Sequence, residues 1–485
     1  MRIAPVCAAL AASLPLAVAQ AAAAPGTPAA ATQADAAYDG LAHDIFKQLI
    51  EIDTSDSTGN VTTAAAALEQ RFLEAGFPAA DVQLLGPNER KKNLVVRLQG
   101  SGAKRPVLLI GHLDVVEARR EDWTSDPYKL LEKDGFYYGR GTIDMKDGDA
   151  VMATALIRLK KEGYHGSRDL IAAFTADEEG GCCNGVTWLL KNHRGLIDAE
   201  FVLNQDDWSV MAVHGVPRVA RLIATEKLYA DYQLSVTNKG GHSSVPRPDN
   251  AIYELAHALT RLGHFQFPFE LNAVNRAYFE QMADGVAQGQ EAADMRAILK
   301  DPPDAQAVAR LSRDPDNVSV TRTTCVATRL AGGHANNALP QRADAIVNCR
   351  IFPGHSKEDI RQLLVKVIND PQITVRYVAD DGTVSDRGTD EQAVPPAPLR
   401  PDVMHALTTL SAAAWPRAKV IPFLDPGASD AKYTNAAGLP TYTFGGVAVD
   451  RDEVRAHGRD ERVAVAEFVK WNRFFYRYVT ELTQP

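Results

Sequence analysis

Residues 105–116 read RPVLLIGHLDVV, an apolar run followed at once by His112 and Asp114. Short apolar runs bounded by polar or turn residues are typical of buried strands. Residues 170–179, LIAAFTADEE, and residues 201–207, FVLNQDD, have the same form and also end in acidic side chains. Ligands bind outside the carboxyl ends of the strands in open α/β sheets. We therefore expect these polar strand ends to meet at one site.

Helical patterns separate the strand-like runs. Residues 149–161 carry apolar side chains at helical spacing and stop before Gly163, and residues 186–192 begin another helix. This alternation predicts an α/β fold, a doubly wound, mostly parallel sheet with helices on both faces. The pattern of polar and apolar residues changes at about residue 218. Residues 232–241, YQLSVTNKGG, alternate between polar and apolar side chains with a period of two, as in a half-exposed antiparallel strand.

The chain of 485 residues is long enough for two or more domains. We predict a discontinuous catalytic domain formed by residues 37–217 and 390–485. A smaller α+β lid domain, residues 218–389, is inserted between them. Residues 265–316 are charged and helix-prone, and we interpret them as a helical insertion in the lid. The sequence PPAPLR, residues 395–400, marks the return to the first domain.

Residues 1–24 have the pattern of a signal peptide. Arg2 precedes an Ala-rich apolar run, and Ala17 and Ala19 fit a small-residue cleavage site, although cleavage up to Ala24 fits as well. The alternative is an uncleaved anchor, but the run is short and contains two prolines. We therefore expect an exported protein, periplasmic or secreted.

The cysteines agree with export, because disulfides persist in oxidising compartments. Cys7 lies in the leader. Cys325 and Cys349 lie in two β-rich runs on either side of a loop, so antiparallel pairing would join them in a disulfide; the alternative is two buried thiols. Cys182 and Cys183 are adjacent and are either packing residues or a vicinal disulfide.

The net charge of −9 argues against nucleic acid as a partner, because phosphate binding needs basic patches. After the leader, no run approaches the roughly 20 apolar residues of a membrane span. We expect no contact with a membrane after signal cleavage.

The polar residues at the predicted strand ends are of the types that bind zinc. Asp144, in the glycine-flanked loop GRGTIDMKDG, is a candidate to bridge two metals. Glu178 and Glu179 point to opposite sides of a strand end, so one can bind metal while the other acts as a general base. Each acid or histidine alone could be an ordinary surface or capping residue. Together, and in this order at the predicted strand ends, these residues predict a metal site.

Six pieces of the sequence, GHLDVV, DGFYYGRGTIDMKDG, TADEEGG, GGHSSVP, NALP and AHGRDE, resemble a family of co-catalytic zinc exopeptidases. This family, metallopeptidase clan MH, includes aminoacylase, glutamate carboxypeptidase, carnosine dipeptidase and succinyl-diaminopimelate desuccinylase. The resemblance runs from about Ala42 to the C-terminus, and residues 265–316 are unusually long for the family. It implies two zinc ions per subunit, for which cobalt or manganese could substitute, and a lid domain that commonly forms a homodimer.

The resemblance also implies five metal ligands: Asp144 as the bridge, His112 and Asp206 on one metal, and Glu179 and His457 on the other. The sequence NQDDWS leaves Asp207 as an alternative to Asp206, since the glycines that follow in the family are absent. Asp206 fits the family spacing better.

For the remaining residues, the resemblance implies Glu178 as the general base and Asp114 as the support of His112. His242 corresponds to a lid histidine that stabilises the oxyanion in the partner's site. Asn337 and Arg350 correspond to lid residues that bind the substrate. An arginine fork suits a carboxylate, although Arg350 could instead form a salt bridge within its sheet. We predict a hydrolase of small peptides or N-acyl amino acids with a free carboxylate. The alternatives are an amidohydrolase of other substrates and a non-catalytic binding protein.

Overall fold

The structure, a computed structural model, describes residues 33–392 and 394–484. The predicted signal peptide lies outside these residues. The N-terminal part of the catalytic domain contains α1 (Gln33–Ile50), α2 (Val61–Glu74), β1 (Val82–Leu85), β2 (Asn93–Leu98), β3 (Val107–His112), β4 (Leu131–Lys133), β5 (Phe136–Tyr138), α3 (Lys146–Lys161), β6 (Leu170–Thr175), α4 (Gly185–Asn192), α5 (Arg194–Ile197), β7 (Phe201–Asn204), β8 (Val210–Val213) and β9 (Val216–Glu226).

The middle of the chain contains β10 (Leu228–Thr237), β11 (Gly241–His242), α6 (Ala251–His264), α7 (Ala273–Ala283), α8 (Gly289–Ile298), α9 (Ala305–Leu311), α10 (Pro315–Thr321), β12 (Thr324–Gly332), β13 (Ala338–Leu339), β14 (Arg342–Ile351), α11 (Lys357–Ile368), β15 (Thr374–Val378) and β16 (Val384–Ser385). The last part contains α12 (Pro401–Ala414), β17 (Lys419–Asp425), α13 (Ala431–Ala436), β18 (Thr441–Thr443), β19 (Ala448–Asp450), β20 (Arg462–Ala464) and α14 (Val465–Thr483).

The large sheet has the strand order β1-β2-β6-β3-β7-β18-β9-β8-β19, and β17 pairs with β9. Its centre, β6-β3-β7-β18, is parallel, and antiparallel pairs occur towards its edges. Every residue of β3, β6 and β7 is buried, as expected for parallel strands covered on both faces. The α/β prediction is confirmed.

Alternate residues of β3 face two different hydrophobic cores, because successive side chains of a strand point to opposite faces. Leu109 packs in the core that contains residues of α1, α3 and α14. Leu108 and Ile110 pack in a second core with Leu189 of α4 and Ile197 of α5. Helices therefore cover both faces of the sheet, as in a doubly wound fold.

The lid has a five-stranded antiparallel sheet in the order β12-β14-β10-β15-β16. Helices α6 and α11 cover one face, where Leu255 and Leu364 pack against Tyr232 and Val347. Asn250 accepts backbone hydrogen bonds at the start of α6, and Ser356 forms a capping box at the start of α11.

The inserted sheet begins later than the predicted residue 218. Strand β9, Val216–Glu226, pairs with β8, β17 and β18 in the large sheet, and the chain leaves that sheet at Lys227. Residues 219–225 of β9 are mostly buried because strands and helices surround them. The boundary predicted from the change in residue pattern was therefore wrong, because it lies about one strand too early in the sequence.

The helical insertion also packs differently from the prediction. Helices α7 to α10 share a hydrophobic core with Ile223 of β9 and Phe423 of β17, where Phe279 and Ile298 are fully buried. The insertion thus covers an extension of the large sheet, and its helices contribute nothing to the core between α6, α11 and the lid sheet.

Both pairs of cysteines form disulfides. Cys325 and Cys349 stand opposite each other on β12 and β14 and are bonded, which confirms the predicted hairpin pairing. With a sequence separation of 24, such a bond stabilises the fold by about 3 kcal/mol. Cys182 and Cys183 form a vicinal disulfide, which decides between the two alternatives left open by the sequence. No helix among the described residues is long and apolar enough to cross a membrane.

Candidate metal centre

The predicted ligands come from the carboxyl ends of neighbouring parallel strands and from two loops. His112 is the last residue of β3, and Glu178 and Glu179 follow β6. Asp206 follows β7, while Asp144 lies directly before α3. Because β6, β3 and β7 are adjacent and parallel, their ends meet at one edge of the sheet.

Two clusters of ligand atoms share Asp144. On one side, His112 Nε2 lies 3.3 Å from Asp144 Oδ1 and 3.7 Å from Asp206 Oδ1. On the other side, His457 Nε2 lies 3.0 Å from Asp144 Oδ2 and 2.9 Å from Glu179 Oε1. In each cluster the three ligand atoms lie within 4.8 Å of one another. The two oxygens of Asp144 thus face different clusters, the arrangement of a bridging carboxylate.

The residues present fit a pair of divalent metals. His112 is buried, and its Nε2 has no hydrogen-bond partner in the described part of the chain although it faces two carboxylates. Burying a polar nitrogen without a partner is costly, and a metal ion would satisfy it. A third group of potential ligands, Asp177 with Cys182 and Cys183, does not fit a metal, because the cysteines are bonded to each other.

Asp114 has a wider structural role than the sequence predicted. Its backbone carbonyl accepts the Nδ1–H of His112 at 3.0 Å, which leaves Nε2 free for a ligand. Its buried carboxylate accepts the backbone amides of Glu178 at 3.2 Å and Glu179 at 3.0 Å. Asp114 therefore connects the end of β3 to the loop after β6.

The charges of the site favour a bound cation. Burial lowers the pKa of His112, but the Asp144 and Asp206 carboxylates outweigh it and raise the pKa well above the usual value. Hydrogen bonds to Asp144 and Glu179 raise the pKa of His457 to about 10. A histidine binds a metal through a neutral imidazole nitrogen, so metal binding at His112 and His457 would compete with protons.

Glu178 belongs to neither cluster. Burial, and next the charge of Asp206, raise the pKa of Glu178 well above the usual value. A half-buried carboxylate whose proton affinity is raised is suited to take a proton from a water molecule.

The two aspartates of NQDD occupy different environments. Asp206 joins the cluster with His112. The carboxylate of Asp207 accepts hydrogen bonds from Ser209 Oγ at 2.5 Å and from Arg221 Nη2 at 3.3 Å. This placement favours Asp206 as the ligand.

Two residues that support Asp144 were missed in the sequence although they lie in the quoted motifs. Lys146 is fully buried and donates from Nζ to the carbonyl oxygens of Leu49 and Ile52, at 2.9 Å each. Glu461, the last residue of AHGRDE, is also fully buried and accepts the backbone amide of Ile143 at 2.9 Å. Both residues lie among other charged residues in the sequence, so no local pattern marks them as buried.

Asp430, just before α13, was also missed, since it lies in none of the six sequence pieces quoted above. It accepts hydrogen bonds from Asn184 Nδ2 at 2.6 Å and from Thr175 Oγ1 at 3.3 Å, so it packs behind the loop of Glu178.

The lid residues lie apart from these clusters. His242 and Asn337 are exposed neighbours on the ribbon formed by β11 and β13, and His242 Nδ1 lies 2.7 Å from Ser244 Oγ. Arg350, on β14, is half-buried, and its guanidinium lies 4.8 Å from the ring centre of Tyr229. Within residues 33–392 and 394–484, no contact joins these three side chains to either metal cluster.

Residues 108–481 match the profile of Peptidase family M20/M25/M40. The chain belongs to this family. It is 27% identical over 421 residues to the probable carboxypeptidase S-like 2 of Dictyostelium discoideum, covering 84% of this chain and 78% of the relative. It is 25% identical over 448 residues to the N-fatty-acyl-amino acid synthase/hydrolase PM20D1 of Homo sapiens, covering 90% and 86%.

The fold is similar to that of solved M20 structures. The M20 family metallo-carboxypeptidase Sso-CP2 from Sulfolobus solfataricus superposes with a TM-score of 0.66 at 16% identity, covering 91% of this chain and 99% of that one. Human carnosine dipeptidase 1 gives a TM-score of 0.63 at 15% identity, covering 93% and 98%. As a member of the M20 family, the protein is a metal-dependent hydrolase that acts on C–N bonds.

Proposed function

We propose that this M20 protein is an exported di-zinc exopeptidase that cleaves the peptide or N-acyl amide bond next to a free carboxylate. The observation that carries the proposal is the pair of ligand clusters that share Asp144, beside which the half-buried Glu178 remains unassigned to a metal. A binding protein without activity would not need a carboxylate in this position. The alternative of a non-catalytic binding protein is therefore disfavoured.

The donor atoms agree with zinc, since imidazole nitrogen and carboxylate oxygen are among its common ligands. His112, Asp206 and Asp144 would hold one ion, and Asp144, Glu179 and His457 the other. Cobalt or manganese could substitute at such a site. Two bound metals would supply polarisation of the scissile carbonyl and a lowered pKa of water.

The chain's own side chains would move the protons and hold the substrate. Glu178 would take a proton from the attacking water and pass it to the leaving amine. His242 would donate to the oxygen on which negative charge develops, and Asn337 would bind the substrate carbonyl. Arg350 would hold the terminal carboxylate.

The surroundings of Arg350 support a role in binding. No carboxylate lies within 4.0 Å of its guanidinium among the residues that the structure describes, so the alternative of a salt bridge within the sheet is not seen. The guanidinium packs over the ring of Tyr229, an orientation in which its donors remain available.

We predict that Arg350→Ala loses most activity on substrates with a free carboxylate. Leaving a carboxylate without its partner costs about 2–5 kcal/mol, or roughly 30-fold to several-thousandfold in kcat/KM. Arg350→Lys should restore little, because an ammonium cannot form the paired fork. Steady-state kinetics on each substrate and its C-terminal amide measures the effect.

The matched control is Arg376→Ala, which removes an arginine from β15 of the same sheet, where it pairs with Asp386. It should leave the preference for free acids unchanged. If Arg350→Ala hydrolyses acids and amides in the wild-type ratio, Arg350 is structural and the exopeptidase proposal loses its support.

The proposal covers two candidate substrate classes, small peptides and N-acyl amino acids, and the second class has separate support from a relative. It is favoured by the similarity to the PM20D1 protein, which covers 90% of this chain. Both candidates need a carboxylate on the substrate, and they differ only in the acyl group. A panel of dipeptides, N-acetyl amino acids and N-fatty-acyl amino acids, each with its amide, separates them by kcat/KM. Activity on no member of the panel would refute both.

The exposed edge of the lid supports a homodimer. On the edge strand β12, Val326 and Leu330 are 59% and 71% exposed. Unpaired edges and exposed apolar side chains favour association with a second chain. A second subunit would bring a lid ribbon with His242 to the site.

Co-expression of His242→Ala and Glu178→Gln chains tests whether the site is shared. If His242 acts on the partner's site, each heterodimer has one intact site, and random pairing gives about a quarter of wild-type activity. Each variant alone should be nearly inactive. Absence of recovery in purified heterodimers would mean that each site is complete within one chain.

Export is supported by the leader pattern and by the two disulfides. Expression of the full chain, followed by N-terminal sequencing of the protein released from the periplasm, should give a start between residues 20 and 25, as the candidate sites in the alanine run predict.

A further inference from the structure

The loop of residues 176–185 carries both Glu178 and Glu179, the proposed base and a proposed ligand. Its two ends are joined by a hydrogen bond from the amide of Gly185 to the carbonyl of Ala176, at 2.7 Å. The loop is therefore a closed unit at the end of β6, and any restraint on one limb acts on the other.

The two limbs are held in different ways. In the outgoing limb, the amides of Glu178 and Glu179 donate to the Asp114 carboxylate. In the returning limb, Gly180 and Gly181 have φ angles of +141° and +102°. Within the described residues, neither glycine amide makes a hydrogen bond. Since glycine is the least restrained residue, the returning limb needs another constraint.

The disulfide between Cys182 and Cys183 supplies that constraint. The amide of Cys183 donates to Asp177 Oδ2 at 3.1 Å, and the other oxygen of Asp177 accepts from the buried Lys91 Nζ. The bond between adjacent cysteines fixes the peptide that joins them, and this fixes the direction of the Cys183 amide. Asp177 is the residue immediately before Glu178, so the constraint reaches the proposed base through one peptide bond.

We propose that the vicinal disulfide Cys182–Cys183 is a positioning element of the metal centre, which keeps Glu179 directed at His457 and sets the orientation of Glu178. The inference rests on the proposed function, because it assigns to these two acids their roles as ligand and base. Cys182 is exposed, so an external reductant can reach the disulfide.

A water-soluble phosphine reduces the bond with a defined balance. The phosphorus attacks one sulfur and breaks the S–S bond, and water then displaces the sulfur from phosphorus. The products are two thiols, which take their protons from water, and one phosphine oxide. Phosphorus supplies the two electrons that reduce the disulfide.

The direct test is the affinity of the folded protein for zinc, measured by competition with a chromophoric chelator. The loop variant Cys182→Ser/Cys183→Ser is compared with the matched variant Cys325→Ser/Cys349→Ser, which lacks the lid disulfide. In the loop variant, one zinc equivalent should bind about 10-fold more weakly, as when a supporting partner of a ligand is removed. The other equivalent, held by His112 and Asp206, should keep its affinity. The lid variant should bind both as the wild type does.

The kinetic expectation follows from the same geometry. In zinc-saturated loop variant, kcat should fall by roughly 10-fold while KM changes little, because Glu178 is displaced and the lid residues are not. If the disulfide only stabilised the fold, its loss would lower the melting temperature without lowering kcat at an unchanged KM.

Reduction of the wild type provides an independent test that does not depend on folding of a variant. The phosphine should weaken one zinc equivalent to the level of the loop variant, and reoxidation should restore it. Treated and untreated loop variant should agree, which controls for chelation by the reductant.

The proposal is overturned if the reduced wild type binds both equivalents with unchanged affinity, or if the two disulfide variants weaken zinc binding equally. The outcomes for the proposed function are separate. If the wild type hydrolyses no member of the substrate panel, the proposed activity fails, while the zinc affinities still decide whether the disulfide positions the ligands.

Discussion

Glu178→Gln is expected to remove nearly all turnover while leaving both metal equivalents in place. A general base typically contributes about 10²- to 10⁴-fold to the rate, and the amide of glutamine cannot accept the proton. Glu178 lies outside both ligand clusters, so its replacement by a side chain of the same size should not release metal. The measurements are kcat on the best substrate of the panel and metal content by mass spectrometry.

The neighbouring acid provides the matched comparison. Glu179→Ala removes a side chain whose Oε1 lies 2.9 Å from His457 Nε2, so it should lose one metal equivalent together with activity. If Glu178→Gln loses metal and Glu179→Ala keeps it, the two glutamates exchange roles. If both variants retain metal and activity, the site has been placed wrongly.

Asp144→Ala is expected to have the largest effect of any single substitution, because one side chain takes part in both clusters. Both metal equivalents should be lost or should bind much more weakly. Activity should fall by more than about 10⁴-fold, because without the metals no activated water is available to Glu178. The melting temperature of the wild type should rise with added zinc, whereas that of Asp144→Ala should respond little.

A suitable control is Asp452→Ala, which removes an exposed carboxylate five residues before His457 in the sequence. It should leave metal content and kcat unchanged. Retention of one full metal equivalent by Asp144→Ala at wild-type affinity would show that Asp144 serves a single ion, and the bridged centre would have to be abandoned.

The sequence was informative where one physical rule determined the structure. The parallel centre of the sheet could be predicted because β3, β6 and β7 are buried on both faces and therefore carry no polar side chain before their last residue. The same rule brings His112 and Glu179 to one edge. The Cys325–Cys349 pairing followed from two β-rich runs on either side of a loop, since hairpin pairing fixes which residues stand opposite.

The sequence failed where the structure depends on distant partners. Strand β9 was assigned to the lid because its neighbours β17 and β18 lie about 200 residues later in the chain, and its burial depends on them. The helices around Phe279 could not be assigned to the large sheet for the same reason.

The sequence also did not determine which contacts individual side chains make. Asp206 and Asp207 are adjacent and of the same type, and the contacts of Asp207 with Ser209 and Arg221 separate their roles. The contribution of Asp114 was predicted only in part. Its carbonyl orients His112 and its carboxylate holds the next loop, and both contacts depend on the turn after β3.

The central claim is a dinuclear centre bridged by Asp144, and anomalous diffraction at the zinc edge tests it most directly. Crystals of zinc-loaded protein should show two peaks roughly 3.5–4 Å apart, one on each side of the Asp144 carboxylate. One should lie beside His112 and Asp206, and the other beside Glu179 and His457. A single peak, or peaks away from Asp144, would contradict the account.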